Sequence, residues 1–367
     1  MLLYQGTREN FLQSLQAVSG IVEKRHTLPI LSNVLIQKSS TELTFQATDI
    51  EIQLKTSAHT VGAEDVSLTV GARKLQDILK SLPESSEVAI TFEEKRLQIR
   101  AGKSRFNLQT LPSDDFPTMQ VVDADVARIT VTQGQFKRLL SLVQYSMAQQ
   151  DIRYYLNGLL LVFSDNQIKV IATDGHRLAF AKELVQHSLN KADLILPRKA
   201  VFELSRQLND SDENLEISIS KTQAVFKFGN VELVSKLIDG KFPDYERVIP
   251  QHLPKPLVLN RQILLQALLR VAILTTDKFR GVRLVLSNGT LKIVSTNSDQ
   301  EDGEDEIEVE FQGQPIDVGF NVTYLLDVLN NIDDEDIECY LTDSSSSALL
   351  MLPGTDRFKY VVMPMRI

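Results

Sequence analysis

The chain carries one pattern three times. Phe11, Leu15 and Val18 form an i, i+4, i+7 apolar stripe, which returns as Phe136, Leu140 and Val143 and again as Leu264, Leu268 and Val271. A second helical stripe, Leu75, Ile78, Leu79 and Leu82, is echoed by Val201, Leu204 and Leu208 and by Val322, Leu325, Leu326 and Leu329. Apolar residues at this spacing lie on one helix face. Period-2 alternation, the mark of a half-buried strand, recurs as well. Leu43, Phe45 and Ala47 lead into Thr48-Asp49, Ile168, Val170 and Ala172 into Thr173-Asp174, and Leu291, Ile293 and Ser295 into Thr296-Asn297. Asp or Asn after a strand suits a turn.

The first two copies also share LQTLPSDDFP from Leu108 and VSKLIDGKFPDY from Val234, with Phe116-Pro117 and Phe242-Pro243 standing 126 residues apart. Recurrence in the same order marks a repeat, and a unit of this size can hold its own core, unlike a solenoid module. Each unit is expected to pair two amphipathic helices with several antiparallel strands, an α+β design. The units are drawn at 1–125, 126–253 and 254–367, with Pro-rich QHLPKPL (Gln251–Leu257) as the second linker. Asn288-Gly289 and Asp239-Gly240 are read as hairpin turns.

Net charge is −9, which taken as a sum argues against nucleic acid as a partner. Placement matters more than the sum. Arg73, Lys74 and Lys80, then Arg198, Lys199 and Arg206, sit off the apolar stripes of the second-type helices, and Lys137, Arg138, Arg261 and Arg270 off those of the first type. For any one helix this is an ordinary solvated face. Repeated across helices, it predicts a basic face suited to phosphates contacted without reading sequence. A second asymmetry separates the ends. Arg96, Arg100, Lys103 and Arg105 crowd the first unit, while Asp299, Glu301, Asp302, Glu304, Asp305 and Glu306 crowd the third. Opposite patches suit head-to-tail association, with Phe106, Leu108, Ile273 and Leu274 as an apolar centre; the alternative is a solvated acidic loop. Six units in a closed dimer would set twelve helices around a circle about 38 Å across at about 10 Å each, leaving a bore wide enough for hydrated duplex once about 10 Å of helix thickness is removed.

Catalytic motifs are sparse in the chain. P-loop, dinucleotide-binding, zincin, nucleophile-elbow and paired Cys motifs are all lacking. The best candidate is Asp174-Gly175-His176-Arg177, an acid beside a base. The repeat explains Asp174 as a turn residue matching Asp49 and Asn297, and His176 has no counterpart. The acidic run fails as an EF-hand, because its twelfth position is Val309. The single Cys339 points to a reducing, cytoplasmic setting. MLLYQGTRENFL lacks a signal-peptide pattern, and no run is long and apolar enough to cross a bilayer as a helix. The ending VVMPMRI places Met363, Pro364 and Met365 at a chain end, suited to an adaptable apolar cleft for partner peptides, while Val361 and Val362 read rather as a last core strand.

Ordered phrases along the whole chain carry a resemblance. They are TLPILSN from Thr27, SRFNLQTLP from Ser104, QDIRYYLNG from Gln150, ATDGHRLA from Ala172, LPRK from Leu196, DGKFPDYERV from Asp239, KFRGVRL from Lys278, FNVTYLLDVLN from Phe320 and YVVMPMR from Tyr360. The chain resembles the bacterial DNA polymerase III beta subunit family, the sliding clamps. Minor departures are His26, where related sequences can have Pro, and Ala200, where Gly can occur.

The resemblance implies a DNA polymerase processivity factor. Such a factor is a head-to-tail homodimeric ring of six domains, placed around duplex DNA by an ATP-driven loader, without catalytic activity, cofactor or metal. Polymerases, the loader and repair proteins would bind through short peptides. Carried onto this chain, the peptide pocket would take Leu156, Thr173, Gly175, His176, Arg177 and Leu178 from the second unit. It would take Pro243, Arg247 and Val248 from the linker region, and Ser347, Val361, Val362, Met363, Pro364, Met365 and Arg366 from the third. DNA contacts would be Arg25, Arg73, Gln150, Tyr154, Tyr155, Lys199, Arg206 and Phe279. The dimer contact would be Phe106, Leu108, Ile273 and Leu274, already nominated by charge. Two rivals stand beside it: a metal-dependent DNA-processing enzyme using Asp174, His176 and the acidic run, and a protein-binding scaffold with no DNA role.

Overall fold

The first-type helical stripes are core, whereas Ile78 and Leu326 of the second-type stripes are half-buried. Phe11, Leu15 and Val18 are buried, as are Phe136, Leu140 and Val143, and Leu264, Leu268 and Val271. Each such side chain contributes about 1.5–3 kcal/mol on leaving water. The Phe11 ring meets Phe45 edge-on at 4.9 Å, joining helix to sheet. The computed structural model describes residues 1–22, 28–60, 65–121, 127–185, 191–251, 253–276 and 280–366.

The first repeat runs β1 (Leu2–Thr7), α1 (Arg8–Ser19), β2 (Asn33–Ser39), β3 (Glu42–Thr48), β4 (Ile52–His59), β5 (Val66–Gly71), α2 (Ala72–Ser81), β6 (Glu87–Glu93), β7 (Arg96–Ala101) and β8 (Ser104–Leu111). The second runs β9 (Ala127–Thr132), α3 (Gln133–Val143), β10 (Gly158–Ser164), β11 (Gln167–Thr173), β12 (Arg177–Leu184), β13 (Lys191–Pro197), α4 (Arg198–Gln207), β14 (Asn214–Ile219), β15 (Gln223–Phe228) and β16 (Val231–Lys236). The third runs β17 (Leu257–Asn260), α5 (Arg261–Ala272), β18 (Gly281–Ser287), β19 (Thr290–Thr296), β20 (Asp302–Glu308), β21 (Ile316–Asn321), α6 (Val322–Asn331), β22 (Asp336–Tyr340), β23 (Ala348–Met351) and β24 (Phe358–Val362). The order of strands and helices is the same in all three, and the class is α+β. No helix among the described residues is long and apolar enough to cross a membrane.

By contacts the chain divides into two compact units, Met1–Lys137 with Phe202–Leu237, and Arg138–Val201 with Ile238–Ile367. The first holds a sheet ordered β1-β6-β7-β8-β5-β2-β3-β4-β16-β15-β14-β9. In it β4 of the first repeat pairs antiparallel with β16 of the second, from Val231↔Thr56 to Ser235↔Ile52. The second unit holds the sheets β13-β10-β11-β12-β24-β23-β22-β17 and β20-β19-β18-β21. There β12 pairs with β24, from Arg177↔Val362 to Ala181↔Phe358. Sheets thus continue from one repeat into the next, which period-2 patterning within one strand cannot reveal.

One expectation changes and one alternative falls away. Asn288-Gly289 makes the β18–β19 turn, with Gly289 at φ +76°, but Asp239-Gly240 lies in the connector after β16 and joins no hairpin. Its glycine is at φ +147°, and an added Cβ there would lie 3.4 Å from Tyr154 Cε2. The acidic run is largely a strand, β20, rather than a loop. The boundary drawn near residue 125 lies outside the described residues, and that near 253 falls in the irregular stretch before β17.

Candidate peptide cleft and strand edges

The turn after β11 is built by side-chain capping of its own backbone. Asp174 Oδ1 accepts the amides of His176 (2.9 Å) and Arg177 (3.1 Å). Thr173 Oγ1 accepts the Gly175 amide (3.1 Å) and donates to the Arg177 carbonyl (2.6 Å). The first repeat does the same. Asp49 Oδ1 accepts from Glu51 (3.0 Å) and Ile52 (2.8 Å), and Thr48 Oγ1 accepts from Ile50 and donates to the Ile52 carbonyl. In the third, Asn297 Oδ1 accepts from Asp299 and Glu301 at 3.0 Å. Asp174 is therefore a turn former, and its pairing with His176 is through backbone rather than as an acid–base couple.

Beside this turn the second unit carries a cleft of about 400 Å³. Leu156, Leu178 and Val361, all buried, are apolar parts of its lining. Thr173, Gly175, His176 and Arg177 form one side, Pro243 and Val248 line it from the connector after β16, and Ser347 and Met363 from the third repeat. Arg153, Phe242 and Tyr245 line it too and were not nominated from the sequence. Each lies within a phrase that carries the resemblance, Arg153 in QDIRYYLNG and Phe242 and Tyr245 in DGKFPDYERV, and Tyr245 stacks on Phe180 of β12 at 6.0 Å. Aromatic placement in the connector was the signal available for the last two.

Other nominated residues lie elsewhere. Val362 is fully buried in β24 between β12 and β23. Arg247 is exposed and pairs with Asp244 at 2.8 Å. Pro364 and Met365 are half-buried, the Met365 amide donating to the Gly319 carbonyl of β21 at 2.9 Å, and Arg366 is exposed.

Charge is arranged on both sides of the cleft. Arg153 at its rim grips Asp151 through Nε (3.0 Å) and Nη2 (2.8 Å), and Nη2 also reaches the Asp174 carbonyl at 3.3 Å. These hydrogen bonds hold the Asp151 carboxyl at about 2. Arg177 is largely buried. Burial by itself lowers its pKa, but neighbouring Tyr360 and Asp327 reverse this and hold it above its ordinary value. Burial pushes the Tyr360 and Tyr145 hydroxyls up.

The residues nominated for DNA are spread over several elements. Arg73 is exposed on α2. Arg206, on α4, is ion-paired to Glu203 and donates to the Ala17 carbonyl. Lys199 on the same helix is half-buried. Gln150 is exposed with φ +55°, Tyr154 is exposed, and Tyr155 is half-buried against the cleft core. Arg25 and Phe279 lie outside the described residues. Several cations of the first-type helices are already engaged. Lys137 pairs with Asp210, Arg138 with Asp333 and Arg270 with Asp305, and Arg261 donates to the Asp334 and Leu329 carbonyls.

The nominated dimer residues stand at strand edges and a helix end. Among the described residues β8 is paired along Ser104–Gln109 on one side only, with β7. On it Arg105 is exposed while Phe106 and Leu108 are half-buried. β20 is likewise an edge, paired with β19. Ile273 is 80% exposed just past α5. Next to it Leu274 packs over Gly303 of β20, where an added Cβ would lie 2.7 Å from Leu274 Cδ1.

Similarity to known proteins extends along the whole chain. Family models of the DNA polymerase III beta subunit match the N-terminal domain at residues 4–120, the central domain at 130–244 and the C-terminal domain at 246–366. The beta sliding clamp of Pseudomonas aeruginosa is 45% identical over 368 residues, and that of Escherichia coli (strain K12) 42% over 361, each covering 98% of both chains. The crystal structure of the DNA polymerase sliding clamp from Pseudomonas aeruginosa with ligand superposes with a TM-score of 0.94 at 44% identity, covering 100% of both chains. A sliding clamp from Bartonella birtlesii bound to griselimycin gives 0.94 at 34%, covering 99% of each. The chain therefore belongs to the DNA polymerase III beta subunit family, the beta sliding clamps.

Proposed function

We propose that two copies of this chain close head to tail into a six-repeat ring around duplex DNA, and that the cleft beside Thr173–Leu178 captures short peptides of polymerases, loader and repair proteins. The chain is a processivity factor, a non-catalytic accessory subunit of DNA polymerase III. Its three repeats are taken as domains at 1–125, 126–253 and 254–367, and it is placed in the cytoplasm.

One observation supports ring closure above the others: two edge strands of opposite charge, each with an unpaired side. β8 alternates Arg105 with Phe106 and Leu108, and β20 alternates Asp302, Glu304 and Glu306 with Gly303 and Asp305. Antiparallel addition of one edge to the other would satisfy backbone groups. It would set opposite charges together and cover Ile273 and Leu274 with Phe106 and Leu108. A head-to-tail contact that closes gives a ring rather than a filament.

A closed ring is held by linkage, so its phosphate contacts can stay weak and exchangeable while it slides. Arg73, Lys199, Arg206, Gln150, Tyr154 and Tyr155, with Arg25 and Phe279, are assigned to that passing contact. The cleft raises the local concentration of a bound polymerase at the primer end. Loading with clamp loader and ATP onto a nicked circle, followed by linearisation, tests the reading. The protein should stay on the circle and run off the linear product. Retention on linear DNA with free ends would overturn topological linkage.

A further inference from the structure

Arg177 does more than line the cleft. Its side chain is 9% exposed, and its three nitrogens go three ways. Nε donates to Asp174 Oδ2 (3.1 Å), Nη1 to Asp327 Oδ2 (2.6 Å) and Nη2 to the Tyr145 carbonyl (2.6 Å). The guanidinium carbon lies 4.3 Å from the Tyr324 ring centre and 5.6 Å from that of Tyr145. Asp327 and Tyr324 stand on α6 and are not among the cleft-lining residues. Tyr360 of β24, itself buried, donates to the Tyr324 carbonyl at 2.9 Å and fixes the same helix to the last strand.

From Arg177 the bonds run on to the cleft wall. Asp174 uses Oδ2 for Arg177 and Oδ1 for the amides of His176 and Arg177. The His176 carbonyl then accepts the Met363 amide at 2.9 Å. A planar guanidinium with this many fixed partners holds direction as well as charge. A buried cation stripped of one carboxylate is costly and seeks a new arrangement.

The first repeat supplies an internal control. Its Asp49 turn makes the same hydrogen bonds, yet the position of Arg177 is Ile52 and that of Tyr145 is Gly20. Glu203, at the place on α4 that Asp327 holds on α6, turns to Arg206 and Gln207 of its own helix. The turn therefore forms without a guanidinium behind it. The guanidinium is added where the cleft is.

We propose that Asp327 and Tyr324 are positioning residues for peptide capture, fixing the Gly175–His176 wall from α6 through Arg177 and Asp174. The proposal rests on the reading of the cleft as a peptide site. It makes α6 part of the binding apparatus, so that strain on this helix would be felt as peptide affinity.

The test uses full-length protein and a fluorescent peptide copying the clamp-binding segment of the cognate polymerase. Asp327→Asn should weaken binding about tenfold and shift the His176 amide resonance. Tyr324→Leu, which removes the ring face, should weaken it about threefold and serves if the first variant fails to fold. Asp333→Asn, which breaks only the exposed Arg138 pair, should leave both readouts in place. Leu178→Asp, in the cleft itself, separates the two ideas. If it abolishes binding while folded Asp327→Asn and Tyr324→Leu bind as the parent does, the positioning role is overturned and the cleft stands. If Leu178→Asp binds as the parent does, the peptide reading itself falls.

Discussion

The carbonyl of His176 accepts the amide of Met363 at 2.9 Å, so the turn after β11 and the end of the last strand form one backbone-linked wall. The first repeat makes the matching bond from Lys236 to the Glu51 carbonyl, also at 2.9 Å. There Lys236 Nζ pairs with Glu51 at 3.1 Å, where the cleft has Met363 and His176. The backbone frame is common to both places, and the side chains decide which one presents an apolar surface.

Removing residues 363–367 should therefore abolish peptide binding and leave the dimer intact. Val362 marks the limit, since it is fully buried and paired in β24. Cutting one residue earlier should also lower the melting temperature. Anisotropy, sedimentation and calorimetry on the two truncations check this.

Asp151 gives a pH signature. Arg153 depresses its carboxyl from 3.8 to about 2. A depressed carboxyl keeps its pairing above the ordinary value and loses it as pH falls through the folded one. The rim pair should thus persist at pH 4 and dissolve toward about 2. Carboxyl carbon NMR should show that midpoint, and Arg153→Ala should return it toward 3.8.

Gly175 adopts φ +90°, and an added Cβ would lie 2.9 Å from Arg153 Nη2. Gly175→Ala should destabilise the protein by about 1–3 kcal/mol through the left-handed backbone, and displace Arg153 from the rim. Chemical denaturation measures the first effect and peptide affinity the second.

Ile273 is 80% exposed, so Ile273→Asp should cost the isolated chain almost nothing. Because Ile273 lies in the proposed ring contact, the same change should shift the sedimenting species to a single chain. An unchanged dimer would point to a different contact.

Cys339 is buried, and burial raises its thiol to about 12. A thiol reagent at pH 8 should leave the folded protein unmodified and label it only in denaturant. Mass spectrometry before and after unfolding reads this out.

Much of the site was legible where recognition is local. Thr173, Asp174 and Gly175 announced a turn because each bonds within four residues. Leu156, Leu178 and Val361 were legible as apolar positions of known phrases. Val362 was not separable from Val361, because alternate residues of a strand between two neighbours can both be covered. Tyr245 carries no local mark of its role, which depends on Phe180, 65 residues earlier in the chain.

The sequence by itself determined the threefold element order, the buried helix stripes and the three capped turns, since periodicity and side-chain-to-backbone bonds act over a few residues. Only the tertiary structure decided that β4 joins β16 and β12 joins β24, and that Arg177 finds Asp327 across 150 residues. Such contacts depend on strand register and on how a helix seats on a sheet, and both are set by the packing of the unit as a whole rather than by any segment within it.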